Sequence, residues 1–224
     1  MISRLRARLA GREQAPDLRS RYAPVMRHEL AALDPAIVDG FFDNLGYAMP
    51  LSLVQQLVEL VRERRPRLVV EVGSGISTAA LNKALADQSG YLVSIEEDAE
   101  FALETLRALP APDRVALVCA TGGGELADLL RGARPELVVV DGPTGQPRFE
   151  QPWLGLYRDL LSPECVCAVD DTHRPENDEA AASLAREKSL VKHDFADPAA
   201  LGRHYSLLLP PGVAPPPSSA APVE

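Results

Sequence analysis

The sequence predicts an α/β fold: a Rossmann-like seven-stranded, mostly parallel sheet, with an antiparallel last strand and helices on both faces. Three observations predict it. Short apolar runs alternate with helix-period segments between residues 51 and 187, the pattern of successive βαβ units. The runs are continuously apolar, as for strands covered on both faces. The last two runs are separated by only residues 196–203. That is too short for a parallel crossover, so the last strand enters as a hairpin.

Residues 51–64 (LSLVQQLVELVRER) place Leu53, Val54, Leu57, Leu60 and Val61 on one helical face, and Pro66 ends the helix. LVVEV (68–72) is the first strand, followed by a helix over 77–88. YLVSI (91–95) is the second strand, and 98–109 a helix with Phe101, Thr105, Leu106 and Leu109 in register. RVALV (114–118), ELVVV (136–140) and CVCAV (165–169) are the next strands. They are spaced by helices over 124–131, 150–161 and 176–187. LVKHDF (190–195) and HYSLLL (204–209) close the sheet, with His193 and His204 as structural residues of the hairpin.

The ends differ from this middle. Residues 1–49 form a helical extension or lid, with Ile2, Leu5 and Leu9 on one face among many arginines. Such a helix docks on the domain or on a partner subunit, which leaves a homo-oligomer open. The alternative is a patch for an anionic substrate or a membrane surface. Residues 210–224 (PPGVAPPPSSAAPVE) are rich in proline and small residues and read as a disordered tail. The middle of the chain, 50–209, is one domain.

Composition excludes several classes. A net charge of −9 argues against nucleic acid as a partner, because such binding needs a basic face. No apolar stretch approaches the ~18 residues of a membrane span, and the N-terminus lacks a secretory h-region. Cys119, Cys165 and Cys167 lie in apolar runs and read as small buried hydrophobes of a reducing, cytoplasmic protein. No CxxC, HExxH, GxSxG or P-loop pattern is present.

Chemistry concentrates at strand ends. The first strand runs into Gly73-Ser74-Gly75, a sharp turn that lets a ligand approach the backbone. It could equally be a tight turn that binds nothing. Ser77 or Thr78 could cap the next helix. The dinucleotide fingerprint has a third glycine where Thr78 stands, which counts against an NAD-binding oxidoreductase. The second strand ends at Glu96, placed to accept hydrogen bonds from a ribose diol, while Asp98 suits a helix N-cap.

EVGSGIST followed about twenty residues on by SIEED resembles the cofactor motifs of class I S-adenosylmethionine-dependent methyltransferases. The resemblance covers roughly residues 50–209. It implies a seven-stranded sheet with an antiparallel last strand, S-adenosylmethionine as cofactor, and a small-molecule acceptor. The implied cofactor contacts are Glu71, Gly73, Ser74, Gly75, Ser77 and Glu96. Where the family often carries an acid after strand three, this chain has CATGGG (119–124).

Strand four ends in Asp141 and strand five in Asp170-Asp171. Neighbouring strands would bring the three carboxylates together, where they repel unless protonated or bridged by a cation such as Mg²⁺. VDGP and VDDT are similar to the metal-dependent, catechol-type O-methyltransferases and to a broad group of bacterial methyltransferase-like proteins. The first likeness implies Asp141, Asp170 and Asp171 as metal ligands; in the second the aspartates place substrate without metal. The lysine base of the catechol-type enzymes is replaced by Thr144, which leaves His173 and Asp141 as the catalytic candidates. Arg148, Trp153 and Tyr157 either wall an acceptor pocket or pack a helix. Arg174 binds an anionic group or pairs with Glu176, and Tyr47 and Met49 lie where a lid would start. A non-catalytic scaffold of the same fold remains the competing reading.

Overall fold

The structure, a computed structural model, describes residues 49–86, 88–109, 111–120, 123–143, 148–197, 203–218 and 221–223. The arginine-rich helix, Tyr47 and Thr144 lie outside these residues. Helix α1 (Leu51–Arg64) leads to β1 (Leu68–Val72), then α2 (Ile76–Ala86), β2 (Tyr91–Glu96) and α3 (Ala99–Ala108). Next come β3 (Val115–Cys119), α4 (Gly123–Leu129), β4 (Leu137–Val140), α5 (Trp153–Leu160), β5 (Val166–Val169) and α6 (Pro175–Lys188). The sheet closes with β6 (Val191–Asp197), β7 (Arg203–Leu209) and a short β8 (Ala221–Pro222).

The strand order is β3-β2-β1-β4-β5-β7-β6-β8. Strands β1 to β5 pair in parallel, and β7 runs antiparallel to both β5 and β6. This is the mixed, Rossmann-like sheet expected. Because β7 is reversed, its first residue, Arg203, lies at the sheet edge where β5 ends.

Side-chain alternation splits the interior into two cores. Val69, Val139, Ala168 and Leu207 face α1 and α2 on one side of the sheet. Val70, Val72, Val138, Val140 and Val169 face α5 and α6 on the other. Both faces of the central strands are therefore covered, which is why their sequences show no polar alternation. Helix α1 stops where Arg65 takes a left-handed conformation and its N–H reaches Val61 O, an αL cap ahead of Pro66.

Three expectations change. In α3 the buried face is Ala102, Thr105 and Leu109, while Leu106 is exposed. Cys119, at the end of β3, is exposed rather than buried; Cys165 and Cys167 are buried as expected. The described part of the tail is built into the domain. Val213 packs on the first core, Gln56 Nε2 donates to Pro216 O at 2.8 Å, and β8 pairs antiparallel with β6. A proline-rich segment cannot make its own core, yet it can lie extended along an existing sheet edge. Met49 is buried in the first core beside α1.

Candidate functional site

The carboxyl ends of β1, β2, β4 and β5 converge, as the open parallel sheet requires. Under the glycine turn lies Glu71, fully buried. Ser77 Oγ donates to its Oε1 at 2.6 Å, and Thr78 Oγ1 and Ser94 Oγ donate to Oε2 at 2.7 Å each. Thr78 Oγ1 also accepts from Gly75 N–H at 2.8 Å. That is the reach-back half of a capping box; Ser77 spends its hydroxyl on Glu71 instead of capping. Glu71 thus ties the turn to β2 and α2, and its contribution to any ligand runs through the turn.

Burial pushes the Glu71 carboxyl up to about 7, against the pull of the three hydroxyls. The folded state then holds a proton that the unfolded chain releases near 4.5. Stability falls as pH rises between those values, by roughly 3 kcal/mol. Glu71→Gln is expected to remove this slope. Urea unfolding of both proteins at pH 4.5, 5.5 and 7 checks it; parallel curves would reject the assignment.

Gly73 has φ +92°, and a Cβ there would stand 2.9 Å from Gly142 N. The tips of β1 and β4 therefore touch backbone to backbone, and Asp141 N and Gly142 N both donate to Val72 O, at 2.8 and 2.7 Å. Glu96, at the tip of β2, accepts from Ser74 N and Ser74 Oγ at 2.9 Å each, and from Asp98 N at 3.0 Å. Asp98 caps α3 through Glu100 N and Phe101 N, as expected. Val72, Gly73, Glu96, Gly142, Pro143 and Trp153 help line a small, partly open cavity of about 10 Å³.

The three aspartates do meet, and they meet arginines. Arg203 Nη2 bonds Asp170 Oδ2 and lies 2.9 Å from Asp171 Oδ1. Arg148, itself buried, places Nη2 at 3.1 Å from Asp171 Oδ2 and 3.5 Å from Asp141 Oδ1. Arg174 Nη2 stands 3.3 Å from Asp171 Oδ2, not against Glu176. Burial, with Asp170 beside it, raises the Asp141 carboxyl well above its usual range. Burial also raises Asp170, against Arg203. Asp171 is buried too, yet Arg203, Arg148 and Arg174 together hold it below the usual carboxylate range. Asp171 carries φ +60°, a left-handed conformation that aspartate tolerates and that often marks a functional site.

This donor set is a poor match for a divalent metal, because guanidinium groups already lie against both Asp171 oxygens, Asp170 Oδ2 and, at 3.5 Å, Asp141 Oδ1. Among the described residues no group of three or more His, Cys, Asp and Glu side chains is arranged to hold a metal ion. The expected residues Asp141, Asp170 and Asp171 come together, within an aspartate–arginine cluster.

His173 Nδ1 lies 3.8 Å from Asp171 Oδ1, and the ring is about one-third exposed. Desolvation lowers its pKa, with Asp171 opposing. Trp153 and Tyr157 are buried in the second core, and Tyr157 Oη donates to Gly142 O at 3.2 Å. Beside the cluster, Pro143, Arg148, Phe149, Arg174, Asn177 and Ser183 line an open groove of about 670 Å³.

Sequence reasoning missed Arg203, and it missed the ionic role of Arg148. A signal for Arg203 existed: an antiparallel strand beside β5 begins where β5 ends, so its first residue faces Asp170-Asp171.

No protein-family model matches the chain. Solved structures do share its fold. One is an O-methyltransferase from Bacillus cereus in complex with S-adenosylhomocysteine: 14% identity, TM-score 0.63, covering 81% of this chain and 90% of that one. Another is an S-adenosylhomocysteine-bound methyltransferase from Podospora anserina: 16% identity, TM-score 0.61, covering 87% and 96%. At these identities the likeness establishes the fold, that of the class I S-adenosylmethionine-dependent methyltransferases.

Proposed function

We propose that the chain is an S-adenosylmethionine-dependent methyltransferase acting on a small-molecule hydroxyl. The observation that carries this reading is the juxtaposition at one sheet edge. The glycine turn and Glu96 face the aspartate–arginine cluster and His173 across the ends of β1 and β4.

The turn suits the cofactor. Gly73 lets the turn close directly onto Gly142, which sets the tips of β1 and β4 side by side at the site. Glu96 takes three protein donors on a carboxylate with about four acceptor sites, so capacity remains for a ribose hydroxyl. When bound, the cofactor supplies a methyl group on a positively charged sulfur. The chain must then orient the hydroxyl and take its proton. His173 suits the proton transfer, because its lowered pKa keeps it neutral at physiological pH. Asp171 beside Nδ1 steadies the imidazolium that forms when Nε2 accepts the proton. Asp141, held toward its neutral form by burial, positions the acceptor rather than deprotonating it. The adjoining groove has room for the rest of a small acceptor.

The test begins with calorimetric titration of S-adenosylhomocysteine, once with Mg²⁺ and once with EDTA. The same dissociation constant is expected in both. No heat in either buffer would sink the reading and leave a scaffold of this fold. A panel of phenols, sugars and polyketide-like hydroxyls then supplies the acceptor. His173→Asn is expected to lower kcat on the order of 100-fold and to erase an inflection below pH 6.5 above which wild-type activity is full. An unchanged pH profile in the variant would remove His173 from the mechanism.

A further inference from the structure

Trp153 opens α5 and is 2% exposed. Among the described residues its buried Nε1 has no hydrogen-bond partner. An indole N–H is a donor only, and a buried donor without an acceptor is destabilising. The ring packs against Tyr157, with centroids 6.5 Å apart, so it has little freedom to turn and find one. The same residue lines the small cavity between Gly73, Glu96, Gly142 and Pro143. That cavity is about 10 Å³, room for one water or for the polar edge of a larger ligand lying above it.

Two of the polar side groups that line this floor ask for complementary partners. Glu96 accepts, and Trp153 donates. A ligand that satisfies both carries hydroxyls beside a lone-pair acceptor, as a nucleoside does with its ribose diol and its ring nitrogens. We propose that Trp153 is a cofactor-binding residue whose Nε1–H donates to an acceptor atom on the adenosine half of the cofactor. This rests on the cofactor reading above.

Trp153 is the single tryptophan of the chain, so its indole gives one N–H cross-peak in a ¹⁵N–¹H correlation spectrum. The full-length protein is titrated with S-adenosylhomocysteine, and separately with adenosine and with homocysteine, while calorimetry follows binding. Expected are heat with S-adenosylhomocysteine and a downfield shift of the indole proton with it and with adenosine, but not with homocysteine. Trp153→Phe keeps most of the ring packing and is expected to weaken S-adenosylhomocysteine binding about tenfold. Heat with an unmoved indole peak would overturn the proposal and leave the cofactor reading standing; a trapped water would then be the donor's partner. Absence of heat would overturn both. The wild-type spectrum decides the matter even if the variant does not fold.

Discussion

Arg203→Met is expected to lower the unfolding free energy by about 3–5 kcal/mol. Asp170 is fully buried, and one of its oxygens, Oδ1, already lacks a hydrogen-bond partner among the described residues. Arg203 serves the other oxygen and also pairs with Asp171. Without the guanidinium, Asp170 would be a buried charge with only Arg148 left to balance it, and it would protonate instead. Asp171 would keep Arg148 and Arg174. The loss should therefore depend on pH in a known direction. An acid whose folded pKa is raised keeps its proton while the unfolded chain loses it, so stability declines as pH rises above about 4. The deficit of the variant should be smallest near pH 4 and grow toward pH 7. Adding Asp170→Asn removes the charge that was stranded, and the double variant should be more stable than Arg203→Met alone. Urea unfolding of the four proteins of this cycle measures it. Full additivity of the two changes would contradict the pairing.

Gly73→Ala is expected to cost roughly 2–5 kcal/mol and to abolish measurable S-adenosylhomocysteine binding. Two effects combine. The φ of +92° lies where a Cβ is strained, and the new methyl would press into Gly142 N and the Asp141 carbonyl carbon, at 2.9 and 3.0 Å. Backbone on both sides leaves no flexible side chain to give way. Gly132 is the control. It has φ +80° with none of the described residues within 4 Å of where a methyl would stand, so Gly132→Ala should show the conformational cost alone, about 1 kcal/mol. Thermal unfolding of both variants, with calorimetry on Gly73→Ala, separates the contributions. Equal losses at the two glycines would mean that the contact of β1 with β4 is slack.

Much of the fold could be read along the chain because its signals are local. Continuous apolar runs such as LVVEV and ELVVV mark strands covered on both faces, and these are Leu68–Val72 and Leu137–Val140. The short gap before HYSLLL demanded a reversed strand, and β7 is reversed. The helix cap at Asp98 was also local, since a carboxylate bonding to Phe101 N spans three residues. The tail misled because composition reports what a segment can bury by itself, not what edge it can join. Gln56 and Ser218 help hold it through contacts between residues far apart in sequence.

The candidate site divides the same way. The sequence by itself determined the glycine turn, Glu96 at the second strand's end, and three aspartates at the ends of two adjacent strands. It did so because strand ends, turns and acids are written in consecutive residues. Only the tertiary structure decided what those aspartates hold. Arg148 arrives from the loop after β4 and Arg203 from the far strand of the hairpin, 33 positions beyond Asp170. Charge compensation is a property of distance in space, so acids written at separate strand ends meet cations brought in through the fold.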